Sequence, residues 1–167
     1  MSALTSHKIR NRETPKDVFF TPQTAVTQHL SLITEYTKPA DKWFDPFYGE
    51  GVYYNSFPTE NKDFTEITLQ KDFFQYTLDT DVICSNPPYS MINQVLEHSV
   101  KLKPRVISYL IGMGNLTPRR IEYMNVNGYG LAKVCMTKIY KWYGFSFICV
   151  FVKGAENCMT FDRTIHK

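Results

Sequence analysis

An apolar run from Asp81 to Ile83 leads into Cys84-Ser85-Asn86-Pro87-Pro88-Tyr89-Ser90, and the two consecutive prolines dictate where that run must end. Each proline holds φ at about −65°, removes a backbone donor and pushes the preceding residue out of helical space. A strand reaching this point passes into a stiff segment whose carbonyl groups point outward with few N–H groups beside them. A plain turn into the next helix needs none of that rigidity.

The rest of the chain follows the same alternation of strand and helix. Thr21-Pro22 reads as an N-cap followed by a proline at the first helical position, and Val26, Leu30, Ile33 and Tyr36 or Thr37 recur at helical spacing up to Lys38-Pro39. Short apolar or aromatic runs at Lys42–Asp45, Asp63–Glu66, Asp81–Ser85 and Arg105–Ile111 are bounded by Gly, Pro, Asp or Asn and read as strands. Between them, a helix is expected after Ser90 as cap, with Ile92, Val95, Leu96, Ser99 and Val100 on one face. Another starts at Thr117-Pro118 and ends near Gly128. The last third turns to strand, 130–140 and 145–152, with a break at Lys141 to Gly144, so a hairpin is expected. Alternation closed by a hairpin predicts an α/β fold, a mostly parallel sheet covered by helices with a C-terminal antiparallel hairpin.

Length and composition bound this further. A chain of 167 residues, 43% hydrophobic and rich in Phe and Tyr, supports one core, expected over residues 18–167. Residues 1–17 are polar, carry Lys8, Arg10, Arg12 and Lys16, and read as a basic arm, either a solvated tail or a nucleic-acid contact. A net charge of +3 is too small to decide partners by itself. Cys84, Cys135, Cys149 and Cys158 form no C-x-x-C pair and no histidine stands at zinc-ligand spacing, so the expectation is a reducing compartment and no metal. The start lacks the apolar stretch of a signal peptide, and no run reaches ~18 apolar residues, so the expected location is intracellular, cytoplasmic, with no membrane contact.

In sheets of this kind ligands sit beyond the carboxyl ends of the strands, and four conspicuous segments fall there. Asp45-Pro46-Phe47-Tyr48-Gly49-Glu50-Gly51 ends the first strand: two glycines allow a sharp turn and close approach of a ligand, and Asp45 supplies an acceptor. Glu66 ends the second, near the ~20-residue spacing at which an acid accepts from ribose hydroxyls. Either acid alone is an ordinary solvated strand end; in register they indicate a nucleoside. No triphosphate-binding loop is present, the third glycine of a pyrophosphate-binding turn is missing, and Glu50 would repel a phosphate. A cationic nucleoside without phosphate fits, and S-adenosylmethionine is such a molecule. An exocyclic amino nitrogen on an aromatic ring is a poor nucleophile because its lone pair is delocalised. Two fixed acceptors, the Asn86 side-chain oxygen and the Pro87 carbonyl, would localise that pair, the prolines Pro87 and Pro88 would hold them rigid, and Tyr89 would stack on the ring.

At these residues the chain resembles the class I S-adenosylmethionine-dependent methyltransferases with a Rossmann-like fold, and among them the DNA adenine-N6 methyltransferases of bacteria, phages and large viruses. The segment 19–26, F-F-T-P-Q-T-A-V, resembles the N-terminal motif that closes over the methionine part of the cofactor, which implies roles for Phe20, Thr21 and Pro22. D-P-F-Y-G-E-G resembles the glycine motif, with Asp45, Pro46, Gly49 and Gly51. T-E-I resembles the ribose motif with Glu66, and K-D-F-F the adenine motif, with Asp72 accepting from the cofactor amino group and Phe73 on its ring. N-P-P-Y resembles the catalytic motif, implying a target adenine flipped out of double-stranded DNA onto Tyr89, with Asn86 also near the cofactor. The motif order is that of the gamma arrangement.

The resemblance has two departures. The interval from Asp45 to Asn86 is too short for the helix and strand normally found after the ribose motif, so a reduced sheet edge is expected. No segment is long enough for a separate target-recognition domain, which leaves selectivity to loops, a specificity partner or a homodimer. Arg119 and Arg120, at a helix start, are candidate phosphate contacts or simply solvated charges. Lys138, Lys141, Trp142 and Tyr143, at the hairpin tip, have the composition of a nucleic-acid grip. RNA or protein-glutamine amino-methyltransferases, and an accessory subunit that binds cofactor or DNA, remain as alternatives.

Overall fold

The computed structural model describes residues 20–164. The basic arm and Phe19 lie outside the described residues. Six strands form one sheet in the order β2-β1-β3-β4-β6-β5: β1 Trp43–Asp45, β2 Lys62–Phe64, β3 Val82–Ser85, β4 Val106–Gly112, β5 Tyr129–Thr137 and β6 Ser146–Lys153. The first four run parallel, and β6 pairs antiparallel with both β4 and β5. The helices are α1 Gln23–Ile33, α2 Val52–Ser56, α3 Ile92–Lys101 and α4 Pro118–Val126. The expected parallel core and C-terminal hairpin are both present.

Alternation along the strands divides the core between the two sheet faces. Trp43, Val82, Cys84, Val106 and Leu110 point to one face and pack with Ala25, Val26 and Ile33 of α1 and Tyr53 of α2. Phe44, Ile83, Ile107 and Tyr109 point to the other and pack with Val95 and Leu96 of α3 and Ile121 and Met124 of α4. Each fully buried large apolar side chain contributes roughly 1.5–3 kcal/mol relative to exposure. Strands β3 and β4 are buried on both faces almost throughout, which explains their unbroken apolar runs.

Between β2 and β3 the chain forms only two single 3-10 turns, Ile67–Leu69 and Phe73–Gln75. The three-residue β2 therefore ends the sheet, and this is the reduced edge. Three local expectations shift. Pro22, not Thr21, is the N-cap of α1 and makes no side-chain cap bond. Helix α3 is entered through a 3-10 turn, Tyr89–Met91, with Met91 as N-cap, so Ser90 does not cap it. Strand β5 stops at Thr137 because the Lys138 ammonium turns inward to the carbonyls of Trp142 and Gly144 and closes the tip early. Helix α2 has no counterpart among the expected elements: five residues, entered from Gly51 at φ 78°, are too few to show a helical period.

Beyond β6 the chain runs back over the start of β5, with Cys158 N donating to Leu131 O (2.9 Å) and Leu131 N to Asn157 Oδ1 (2.8 Å). Gly130 lies under the Ala155 backbone, where a Cβ would collide with the carbonyl oxygen. Gly130→Ala is expected to lower stability by about 1–3 kcal/mol by lifting this segment. Denaturant unfolding checks this: an unchanged midpoint would contradict the contact.

Candidate functional site

The strand order reverses beside β1, whose crossover leads to β2 on one side while β3 lies on the other. In sheets of this order ligands are taken up in the crevice beyond the carboxyl ends of the strands at the switch point, here β1 and β3, and the expected cofactor and acceptor motifs both lie there. Asp45, the last residue of β1, is fully buried. Its Oδ1 accepts from Ser85 Oγ (2.6 Å) and Phe47 N (3.2 Å), while Oδ2 is buried with no hydrogen-bond partner among the described residues. Burial pushes the carboxyl up to about 7, against the pull of the Ser85 hydroxyl and of the Phe47 and Tyr54 backbone N–H groups.

The glycine loop follows. Gly49 and Gly51 have φ of 53° and 78°, and a Cβ on Gly51 would stand 2.5 Å from the Tyr48 ring. Gly51 is thus required both by the left-handed turn and by the tyrosine lying across it. Pro46 is buried, and its carbonyl accepts from Thr65 Oγ1 (2.7 Å). Glu66 joins this loop to the next: Oε2 accepts from Gly49 N (3.0 Å), and Oε1 from Thr68 N (3.1 Å) and Thr68 Oγ1 (2.9 Å). Partial burial alone would raise this carboxyl, but the Thr68 and Gly49 donors outweigh it and hold it below its ordinary value.

Asp72 Oδ1 accepts from Phe74 N (2.9 Å) and fixes the turn into Phe73. Phe73 itself is 3% exposed, packed edge-on to Phe47 (5.2 Å) and His98 (4.7 Å). Its ring is a core ring, and the half-buried Phe47 and Phe74 beside it are the ones nearer the surface. Ile67, next to Glu66, is 68% exposed. It stands beside the candidate ribose-binding acid, and the T-E-I triplet is the sequence signal that marks it.

The acceptor loop starts one residue after Ser85. Asn86 Nδ2 donates to Thr21 Oγ1 (3.1 Å), so the residue freed from capping α1 touches the catalytic candidate instead. Pro87 is buried, Pro88 is half-buried at φ −63° and ψ 121°, and its carbonyl accepts from Met91 N (3.1 Å). The Tyr89 ring lies over Gly112 at the end of β4, so close that a Cβ there would stand 3.1 Å from it. Gly112 was not singled out from the sequence; only its place at a strand end beside an aromatic could have marked it. Phe20, 62% exposed, and the exposed Pro22 flank Thr21 at the same rim.

The basic candidates separate. Arg120 is engaged within the protein, through Nε to Asn93 Oδ1 (2.8 Å) and one terminal nitrogen to Asn115 O (2.8 Å) and Oδ1 (3.1 Å), whereas Arg119 is exposed. Both line a cavity of ≈ 90 Å³ between α3 and α4 with Asn93, Glu97 and Tyr123. An open groove of ≈ 340 Å³ runs along the β2 edge past Thr65, Lys71, Asp72 and Gln75. Neither is lined by Asn86 or Tyr89. At the hairpin tip Lys138 is held by the loop carbonyls and Trp142 packs on the α1 side of the core, while Lys141 is exposed and Tyr143 is 70% exposed. Tyr140, at 85%, and Phe145, at 49%, stand out beside them and were missed because they looked like strand residues. Met113 N donates to Phe145 O (3.0 Å), joining the tip to the loop after β4.

A buried relay lies behind the crevice. Ser108 Oγ donates to Cys149 O (3.1 Å), which leaves Ser108 to accept from His29 Nε2 (2.6 Å). His29 Nδ1 is then the acceptor for the Tyr53 hydroxyl (2.8 Å). The chain Tyr53–His29–Ser108 locks α1 and α2 to β4. Burial lowers the imidazole to about 3, so it stays neutral.

No protein-family model and no curated protein matches the sequence. Solved structures do match. PH1948 from Pyrococcus horikoshii, provisionally described as an RNA methyltransferase, aligns with TM-score 0.63 at 16% identity over 84% of this chain and 90% of its own. Magnesium protoporphyrin IX methyltransferase from Synechocystis PCC 6803, solved with bound S-adenosylhomocysteine, aligns with TM-score 0.57 at 14% identity over 90% and 95%. A chain of the E. cuniculi Mtq2–Trm112 complex aligns with TM-score 0.54 at 13% identity over 84% and 100%. The fold is that of the class I S-adenosylmethionine-dependent methyltransferases. Among the described residues, no helix is long and apolar enough to cross a membrane.

The two buried titrating groups act on stability in opposite directions. His29 is lowered from 6.5 to about 3, so the unfolded chain takes up its proton first and stability falls as pH drops below 6.5. Asp45 is raised from 3.8 to about 7, so the folded chain takes up its proton first, and the stability this gives is lost as pH rises from 3.8 through 7. Between pH 5 and 7 the two nearly cancel. Asp45→Asn is expected to be about 2 kcal/mol less stable at pH 5 than at pH 7, and His29→Gln more stable at pH 5 by a similar amount. Urea unfolding of both variants at the two pH values tests the signs; parallel shifts would contradict the assignment.

Proposed function

We propose that the chain transfers the methyl group of S-adenosylmethionine to the exocyclic N6 of an adenine in DNA, flipped onto the Asn86-Pro87-Pro88-Tyr89 loop. The observation that carries this reading is the Ser85–Asp45 hydrogen bond of 2.6 Å, which fixes that loop directly beside the candidate cofactor seat.

The residues present fit the cofactor. The unmatched Oδ2 of Asp45 is an acceptor in want of a donor, and a cationic group beside it would stabilise the ionised carboxylate. Glu66 can exchange its Gly49 and Thr68 donors for ribose hydroxyls. Asp72, with Oδ1 committed to Phe74 N, offers its second oxygen to the adenine amino group, beside the exposed Ile67, with Phe73 behind it in the core. Phe20, Thr21 and Pro22 border the crevice, and Pro46, Gly49 and Gly51 shape the turn under it. When bound, the cofactor supplies an electrophilic methyl on a sulfonium.

On the acceptor side, the Asn86 side-chain oxygen and the Pro87 carbonyl accept the two amino hydrogens and draw the nitrogen lone pair out of the ring. Because prolines hold these acceptors, little reorganisation is needed at the moment of reaction. Tyr89, braced against Gly112, gives the adenine a stacking face. With the cofactor bound, the N–C bond would form as the S–C bond breaks, the electron pair staying on sulfur as S-adenosylhomocysteine leaves, and the proton of the alkylated nitrogen would pass to solvent. Arg119, Lys141, Tyr143 and Trp142, with Tyr140 and Phe145, form the surface we assign to the nucleic-acid strand. Arg120 and Lys138 act there by shaping the loops that present it.

The second reading is another amino-methyltransferase, acting on RNA or on a glutamine side chain. Among the similar solved structures, one is provisionally described as an RNA methyltransferase and another belongs to a complex responsible for methylating the eRF1 translation termination factor. The same acceptor loop would serve either. An accessory subunit that binds DNA or cofactor without transfer is a third outcome of the same test.

Tritiated methyl transfer is measured to unmethylated genomic DNA, total RNA and a release factor in parallel, with cofactor affinity followed by calorimetry. Transfer is expected to DNA. Asn86→Ala is expected to lower it by more than 100-fold with cofactor affinity within a few fold, and Trp142→Ala to lower DNA turnover about tenfold with cofactor affinity unchanged. An Asn86→Ala protein of full activity would refute the mechanism; transfer to RNA or protein alone would move the substrate.

A further inference from the structure

We infer that Thr21 is a positioning residue for the Asn86 side-chain amide, and that through it the segment bordering the cofactor seat sets the acceptor loop. This rests on the function proposed above. In that reading Thr21 borders the cofactor; the hydrogen bond gives its hydroxyl a second task, directed at the acceptor.

The observation is the bond from Asn86 Nδ2 to Thr21 Oγ1, 3.1 Å between residues far apart in the chain. A threonine before Pro22 would ordinarily cap the helix, yet here Pro22 is the N-cap and no side chain caps α1. The hydroxyl is therefore turned away from the helix and toward the loop. What holds it is firm. Ala25 N (3.0 Å) and Val26 N (3.2 Å) donate to Pro22 O, Ala25 and Val26 are buried, and one turn on His29 is locked to Tyr53 and Ser108. Thr21 thus stands on the rigid start of a helix seated on the sheet.

The amide it touches needs such a support. Asn86 has an oxygen edge and a nitrogen edge of nearly the same shape and opposite polarity. Only the oxygen edge can accept from an amino group; the nitrogen edge would meet it donor to donor. Ser85 and Pro87 fix the backbone on either side of Asn86 but leave the rotation of its side chain undetermined. Here Nδ2 faces the Thr21 hydroxyl, which holds the amide plane and puts Oδ1 on the opposite edge. Any shift of residues 20–22 on cofactor binding moves that hydroxyl, so this bond couples cofactor seating to acceptor geometry.

The test compares wild type with Thr21→Val, nearly the same shape without the hydroxyl, and Thr21→Ser, which retains it. Loss of one such hydrogen bond is expected to lower kcat about tenfold in Thr21→Val, with KM for S-adenosylmethionine within twofold, and Thr21→Ser should stay within threefold of wild type. The second measurement needs no activity. In 1H–15N spectra of the whole protein, one of the two Asn86 side-chain NH2 protons should be displaced and slow to exchange with solvent in wild type and Thr21→Ser, and in Thr21→Val it should move toward the ordinary side-chain amide position and exchange faster, the two protons staying distinct. Failure of wild type to transfer methyl to any substrate would sink the proposed function, while the spectra still decide the positioning role. The inference is overturned if Thr21→Val leaves the Asn86 amide signals as in wild type, or leaves kcat unchanged in an enzyme that transfers methyl.

Discussion

The candidate site depends on one buried hydrogen bond, Ser85 Oγ to Asp45 Oδ1 at 2.6 Å. It joins the ends of two neighbouring parallel strands, β1 and β3, at the point where the order of the sheet reverses. Asp45 opens the glycine loop and Ser85 immediately precedes Asn86, so the bond ties the two halves of the site to one another. Its contribution to folding is modest, about 1 kcal/mol for an ordinary hydrogen bond. Its geometric effect is larger, because it brings a buried acid and a proline-stiffened loop side by side at the strand ends.

Around that bond, rigidity comes from short-range chemistry with long sequence separations. Glu66 holds the glycine loop from the neighbouring strand end, Thr21 reaches Asn86 from the start of α1, and Gly112 makes room for Tyr89 at the end of β4. The His29 relay fixes the helix on which Thr21 stands. Each of these contacts joins a different element to the crevice, so the site is held by the sheet and its helices as a whole. The sheet ends at β2, where two single turns stand in place of a longer crossover, and this leaves the groove past Asp72 open to one side.

Much of this architecture was legible from local chemistry. Proline pairs, strand-ending acids and apolar periodicity act over a few residues, so the strands, the main helices and the motif positions could be read directly. The hairpin followed from run lengths, and the reduced edge from the short interval between Asp45 and Asn86 set against the family resemblance. What could not be read depends on contacts between distant residues. Thr21 looked like a cap until Asn86 proved to be within reach. Phe73 looked like a ligand-facing ring, yet it sits between Phe47 and His98 in the core. Arg120 looked paired with Arg119, yet its guanidinium is held by Asn93 and Asn115. Helix α2 was too short to declare a period, and Tyr140 read as the end of a strand because nothing local marks where β5 ends.

The central claim is that a rigid pair of acceptors at Asn86 and Pro87 prepares an adenine amino group for alkylation by a neighbouring sulfonium. It is tested most directly by mass spectrometry of nucleosides from the DNA of cells that lack adenine methylation of their own. Cells expressing the chain should yield N6-methyldeoxyadenosine, and cells expressing Asn86→Ala should yield none. The account is contradicted if DNA methylated by the wild-type chain carries the new methyl on a ring atom, or if the Asn86→Ala protein produces the same N6-methyl product at the same level.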